Sequence, residues 1–292
     1  MSATVVTISV LTIVRGRTDH LRGLMAGLAR QSALPAELVI AWMQEEAAGG
    51  LPDLPVPVRH VFVPGDAMPL AAARNRAADV ASGNKLIFLD VDCIPSPTLV
   101  DAYDRALNDV DGVLLGEVYY LPGGMPVFTG NFSKLEEAGV QHPSKAVFPE
   151  SGVVREPDAG QLWGLSFGLR AETWRRIGGM DEAFFGYGGE ETDLARRAAD
   201  AGIPTYRVGG AAAYHQHHAV HIPPLQHFED ILRNARLYRQ KHGAWCMDYW
   251  LGQFAERGLI DWSRDVDDIV VHRLPDAQET DAARQPDTVF FS

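Results

Sequence analysis

The sequence predicts an α/β fold: a mostly parallel, doubly covered central sheet with helices on both faces and a helical extension toward the C-terminus. Three observations predict it. Strand-like and helix-like runs alternate through the first 121 residues. Several runs are continuously apolar and rich in β-branched residues, as strands covered on both faces are. The chain, at 292 residues, is long enough for one large domain or two modest ones.

The elements follow in order. Val5–Val14 is a continuous apolar run and reads as a buried strand. Thr18 is placed to cap a helix carrying Leu21, Leu24, Met25 and Leu28 on one face. Leu38–Trp42 and Arg59–Val63 read as short strands. Leu70–Ser82 reads as a helix stopped by Gly83, and Lys85–Leu89 as another buried strand. Ser96 and Pro97 open a helix with Leu99, Val100, Tyr103 and Leu107 on one side. Gly112–Leu121 reads as a further strand, which closes a first half at residues 1–121.

Residues 122–160 have scattered glycine and proline and no clean period, so they read as a long, partly irregular insertion; such loops often serve as lids. Order returns with a strand at Leu165–Leu169, a short helix at Ala171–Ile177, a glycine-rich turn, a helix at Glu191–Ala201 and short strands to Tyr214, within a second half at 122–224. Leu225–His242 reads as an amphipathic helix that begins an extension at 225–274. The polar tail at 275–292, Pro275–Thr288 above all, is expected to be disordered.

Composition narrows the function. Apolar residues at 46% and charged residues at 22% belong to a globular chain. The formal net charge of −12 repels phosphate backbones, so broad nucleic-acid binding is not expected, and an anionic substrate calls for a bound cation. Two cysteines, Cys93 and Cys246, make neither a disulfide scaffold nor a four-cysteine zinc site. No run of about 18 apolar residues marks a membrane span, and no basic segment precedes Val5–Val14 as in a signal peptide, so a cytoplasmic protein is expected.

Four constellations carry chemistry. In Asp90-Val91-Asp92 the two carboxylates lie on one side of an extended chain, their Cα atoms about 6.6 Å apart. They follow Leu86-Ile87-Phe88-Leu89 and so sit at a strand's carboxyl end, the ligand-binding edge of open α/β sheets. Asp109-Val110-Asp111 precedes a strand and Asp265-Val266-Asp267 lies in a polar stretch, so these copies of the triplet are in the wrong places. In Gly186-Tyr187-Gly188-Gly189-Glu190-Glu191-Thr192-Asp193 acids gather at a helix start. The macrodipole accounts for that blandly, but the crowding of Glu190 and Glu191 also raises one carboxyl's pKa toward that of a proton acceptor. In His215-Gln216-His217-His218, with His221 nearby, three imidazoles in four residues point to metal more than to structure. With a carboxylate from Asp92 such a set suits Mn²⁺ or Mg²⁺, and no HExxH is present. Ala73-Arg74-Asn75-Arg76 reads alone as a solvated helix face, whereas Arg15-Gly16-Arg17 lies at the ligand edge of the sheet.

Together and in this order, the pieces resemble family 2-type glycosyltransferases of the GT-A fold. Ala71–Pro97 looks like that family's helix, strand and D-x-D segment. Leu162–Gly202 is similar to the acceptor-side segment of the β-1,4-galactosyltransferase and polypeptide N-acetylgalactosaminyltransferase branches, and the likeness covers about residues 4–221. The resemblance implies that Asp92 ligates a divalent metal with His215 and His218, and that Asp90, with Val91 of the same triplet, contacts the donor. It implies Glu191 as general base, with Glu190 and Asp193 beside it at the sugar pocket, and Trp163 as that pocket's aromatic. Thr12 and Arg15 then end the first strand where the nucleotide base docks, and Arg74 lies near the uridine or diphosphate. Two features depart from the pattern: the second strand ends Trp42-Met43-Gln44-Glu45 instead of in an acidic pair, and the first reads Leu11-Thr12-Ile13-Val14-Arg15 without Pro-Thr-Tyr-Asn.

The activity so implied is metal-dependent, inverting transfer of a sugar from a nucleotide sugar, a UDP-sugar first, to a hydroxyl of a glycan or other acceptor. A sugar-phosphate nucleotidyltransferase is the rival enzyme, though Val14-Arg15-Gly16-Arg17 is a poor phosphate loop. A non-catalytic carbohydrate- or nucleotide-binding protein is the other alternative. Replacement of Glu191 separates these readings.

Overall fold

The structure, a computed structural model, describes residues 7–65 and 67–291. Val5 and Val6, expected at the start of the first strand, lie outside the described residues. β1 (Ile8–Val14) is buried along its whole length. α1 (Thr18–Leu28) then turns Leu21, Leu24, Met25 and Leu28 inward. Thr18 does not cap it. The chain reverses through Gly16 and Arg17, both at positive φ, so Thr18 already stands in the first turn and Arg17 holds the cap position. β2 (Glu37–Trp42), β3 (Val58–Phe62), α2 (Leu70–Val80) and β4 (Lys85–Leu89) follow. α2 ends before Gly83, because Ala81 is already extended.

β5 (Cys93–Pro95) and α3 (Leu99–Asp109) come next. The stretch expected as one strand at 112–121 is two, β6 (Val113–Leu115) and β7 (Val118–Tyr120), in different sheets. Gly116 makes the crossing. A Cβ there would lie 2.6 Å from the Tyr103 hydroxyl and 2.7 Å from Ser166 Oγ, so only glycine passes. The segment expected to be irregular forms α4 (Phe132–Ala138), β8 (Val140–Gln141) and β9 (Val153–Glu156). β10 (Ser166–Arg170), α5 (Ala171–Ile177), α6 (Glu190–Asp200), β11 (Thr205–Val208) and β12 (Ala213–His215) complete this half.

The remainder is α7 (Phe228–His242), α8 (Asp248–Glu256), the small pair β13 (Ile260–Asp261) and β14 (Val270–Val271), and α9 (Ala277–Ala283). The expectation of a disordered tail is corrected by α9. Asp276 and Glu279 form a reciprocal capping box, Ala283 is buried, and Arg284 pairs with His221. Polar composition hid a local signal that the D-x-x-E spacing carries.

The central sheet has eight strands in the order β3-β2-β1-β4-β10-β6-β11-β9. β3, β2, β1 and β4 run parallel, whereas β10 is antiparallel to both β4 and β6, and β9 closes the edge antiparallel to β11. The sheet is therefore mixed beyond β4. α1 and α3 pack on one face through Leu24, Met25, Tyr103 and Leu107. α2, α5 and α6 pack on the other through Ala73, Ala77, Trp174 and Leu194. Burial on both faces explains the unbroken apolar runs. A second sheet, ordered β5-β12-β7-β8, stands at the carboxyl end of β4. α7 and α8 build a separate apolar cluster around Phe228, Ile231, Leu251 and Phe254. Among the described residues no helix is long and apolar enough to cross a membrane.

Candidate active site

The second sheet joins the two distant motifs. β5 starts one residue after Asp92 and pairs antiparallel with β12, with Cys93 opposite His215. The Gln216 backbone N–H donates to the Asp92 carbonyl at 2.6 Å. Asp92 Oδ1 then lies 3.6 Å from His215 Nε2, and Oδ2 lies 3.7 Å from His218 Nε2. One ligand atom from each of the three residues falls within 4.8 Å of the others. Bonds of about 2.0–2.2 Å to one ion place ligand atoms about 3–4 Å apart, the spacing of both carboxylate–imidazole pairs, and the oxygen–nitrogen donor set suits a divalent ion such as Mn²⁺. His217 is turned away, its Nε2 3.3 Å from the Val289 carbonyl.

Electrostatics prepare the set. Burial pushes the Asp92 carboxyl up, but His215, Arg17 and His218 outweigh it and bring it down to about 2. Burial pushes both imidazoles down despite Asp92, His218 to about 4. At neutral pH the set is thus one carboxylate and two neutral rings with lone pairs, which is the ligating form. Arg17, the last residue of the Arg15-Gly16-Arg17 run at the ligand edge, places Nη1 on Asp92 Oδ2.

Beside this set, one cation meets three carboxylates. Arg74 of α2 is buried and lies 3.1 Å from Asp90 Oδ1, 3.3 Å from Glu190 Oε1 and 3.3 Å from Glu191 Oε1. It is not a solvated helix face, and that expectation is corrected: three acids surround it. A single positive charge does not hold three carboxyls this close together all ionised. Burial pushes Asp90 up to about 7, Asp92 and Glu191 adding to it and Arg74 opposing. Burial and Glu191 push Glu190 up to about 8, against Arg74. Glu191 keeps 19% of its side-chain surface open, against 3% for Glu190.

The glycine turn that presents these acids is held from α7. Asn234, fully buried, donates its amide to the carbonyls of Phe185 at 3.1 Å, Tyr187 at 3.3 Å and Gly188 at 2.7 Å. Gly188 (φ 85°) and Gly189 (φ 96°) adopt backbone that other residues resist. Tyr187 stacks on His227, ring centroids 4.2 Å apart and planes within 10°. No spacing in the sequence marks Asn234.

Trp163 lines a cleft with Tyr120, His142, Lys145, Phe148 and Gln161. The Lys145 ammonium lies 3.4 Å from the centre of the Trp163 ring, and burial brings it down to about 7 although Glu156 and Asp158 oppose. Aromatic contacts run from here to the metal set: Trp163 meets His142, Phe291 packs between His142 and Tyr120, and Tyr120 lies 4.8 Å from His215.

Three expected residues have side chains turned away from the acids and histidines. Thr12 is 1% exposed within β1, and its hydroxyl has no hydrogen-bond partner among the described residues. Val91 points into the core with Leu89 and Cys93. Asp193 is fully buried and bound by Arg197 at 2.7 Å, Lys241 at 2.6 Å and His242 at 2.8 Å, where it ties α6 to the end of α7. Arg15 is exposed just past β1, at the carboxyl edge of the sheet. Of the competing triplets, Asp111 is engaged by Thr173 and Arg176.

Comparison with known proteins bears on the fold and on one segment of the chain. Residues 155–221 match the family described as the N-terminal domain of galactosyltransferase, a stretch that includes Trp163, Glu190, Glu191, His215 and His218. Among solved structures, GalNAc-T7 with UDP, GalNAc and Mn²⁺ superposes with a TM-score of 0.53 at 15% identity, over 72% of this chain. The chain spans 43% of the length of that protein. No curated protein sequence matches. The chain therefore has a GT-A-type fold, carries a galactosyltransferase-type segment around its acid and histidine motifs, and resembles the galactosyltransferase and GalNAc-transferase branches of glycosyltransferases.

Proposed function

We propose that the protein is a divalent-metal-dependent glycosyltransferase that moves a sugar from a nucleotide sugar, in first place a UDP-sugar, to an acceptor hydroxyl with inversion at the anomeric carbon. One observation carries this reading: Asp92, His215 and His218 converge within bonding reach of one point, next to the Arg74-centred acids. Asp92, His215 and His218 are the ligands in this reading. When bound, the ion neutralises charge on the departing diphosphate. The nitrogen ligands favour Mn²⁺ over Mg²⁺.

Glu191 accepts the proton of the attacking hydroxyl. It is the most open of the two turn acids, and Arg74 fixes its carboxylate. Glu190, buried against Arg74, holds a proton and donates a hydrogen bond toward a sugar hydroxyl. Asp90 orients the donor, and Arg15 stands where β1 opens toward a nucleotide. Trp163 supplies an apolar wall to the sugar cleft. A base opposite the leaving group gives inversion; GalNAc-T7 belongs to a retaining family, so the outcome is this chain's own question.

A panel of nucleotide sugars, assayed for nucleotide release with Mn²⁺ and with chelator, tests the reading. Turnover that needs the metal, with the product anomer read by proton NMR as inverted, is the expected result. Turnover equal in chelator, or a retained anomer, contradicts the metal requirement or the inversion respectively.

A further inference from the structure

We propose that Arg17 competes with the divalent ion for Asp92, and that a nucleotide diphosphate relieves the competition by taking the guanidinium. The inference rests on the proposed metal triad. Arg17 Nη1 sits on Asp92 Oδ2, the same oxygen that lies 3.7 Å from His218 Nε2. That oxygen cannot serve a guanidinium and a metal at full strength, and two cations at one carboxylate repel. Arg17 is set there by its backbone. It is one of two described non-glycine residues at positive φ, and the left-handed turn after β1 brings its side chain over the carboxyl edge of the sheet. The side chain is 40% exposed, so it can leave Asp92 without repacking the core. A diphosphate at that edge offers paired anionic oxygens that match the guanidinium fork. Loading of metal and of nucleotide are then linked, each favouring the other.

Mn²⁺ affinity, measured by electron paramagnetic resonance of the free ion with and without UDP, tests this. The samples are wild type, Arg17→Gln, Arg17→Asn and Asp92→Asn, each verified for fold by circular dichroism. Asparagine tolerates the left-handed backbone, so one uncharged variant keeps the turn. Without UDP, the uncharged Arg17 variants are expected to bind Mn²⁺ about tenfold more tightly than wild type. UDP is expected to close most of that gap. Equal or weaker Mn²⁺ affinity in both variants overturns the competition, and a gap unchanged by UDP overturns the link to the diphosphate. If wild type and the Arg17 variants all fail to bind, or if Asp92→Asn binds as wild type does, the metal triad itself is wrong, and the inference falls with it.

Discussion

Glu191 occupies the space that a side chain on Gly164 would need: a Cβ built on Gly164 would lie 2.1 Å from Glu191 Oε1. Gly164 also adopts φ 72°, so its lack of a side chain serves both the backbone and the acid. The Gly164→Ala variant is expected to lose about 100-fold in turnover by displacing Glu191. Its stability should fall by only about 1–2 kcal/mol. Steady-state kinetics beside urea unfolding checks both; a variant with wild-type turnover removes Glu191 from its assigned place.

Asn234 is the support for the acid-bearing turn, with three carbonyls on one amide. Its replacement by alanine takes the donor from the Tyr187 and Gly188 carbonyls, while Phe185 keeps Arg233, and is expected to cost about 1–3 kcal/mol in urea unfolding. Wild-type stability in Asn234→Ala would mean that the turn stands without α7.

Glu190 predicts a pH dependence of stability. Its carboxyl is raised from 4.5 to about 8 by burial and by Glu191, so the folded state binds its proton more tightly than the unfolded chain does. Stability from this group is fully present below the unfolded value and is lost as pH rises through the folded one. Urea unfolding at pH 5.5 and pH 8.5 should show a loss of about 1–3 kcal/mol at the higher pH that Glu190→Gln reduces, Asp90, raised to about 7, contributing the remainder. An unchanged slope in the variant assigns the effect elsewhere.

Much of the scaffold was legible because burial on both faces writes itself as unbroken apolar runs: β4 and α5 have the expected bounds, and β1, β2 and β3 lie within two or three residues of them. Position also separated Asp90 and Asp92 from Asp111, since strand ends are readable once strands are. What was not legible depends on tertiary contact. The break at Gly116 answers Tyr103 and Ser166, which are distant in sequence. Arg74 looked like surface because two of the three acids around it belong to a helix that begins 116 residues away. Asp193 looked like a pocket acid, yet Lys241 and His242 at the end of α7 claim it. The order at α9 could have been read from its capping box.

Glu191→Gln keeps the shape of the side chain and removes the proton acceptor. Turnover is expected to fall by about 10²–10⁴-fold with donor KM little changed. Undiminished kcat would take the base away from Glu191.

The central claim is that segments around Asp92 and His215 grip one cation, brought together by the pairing of Cys93 with His215. Anomalous diffraction from crystals soaked in Mn²⁺ and UDP tests it most directly. The account predicts one strong peak about 2.0–2.3 Å from an Asp92 oxygen and from Nε2 of His215 and His218. A peak bound by other residues, or no peak at these three, contradicts it.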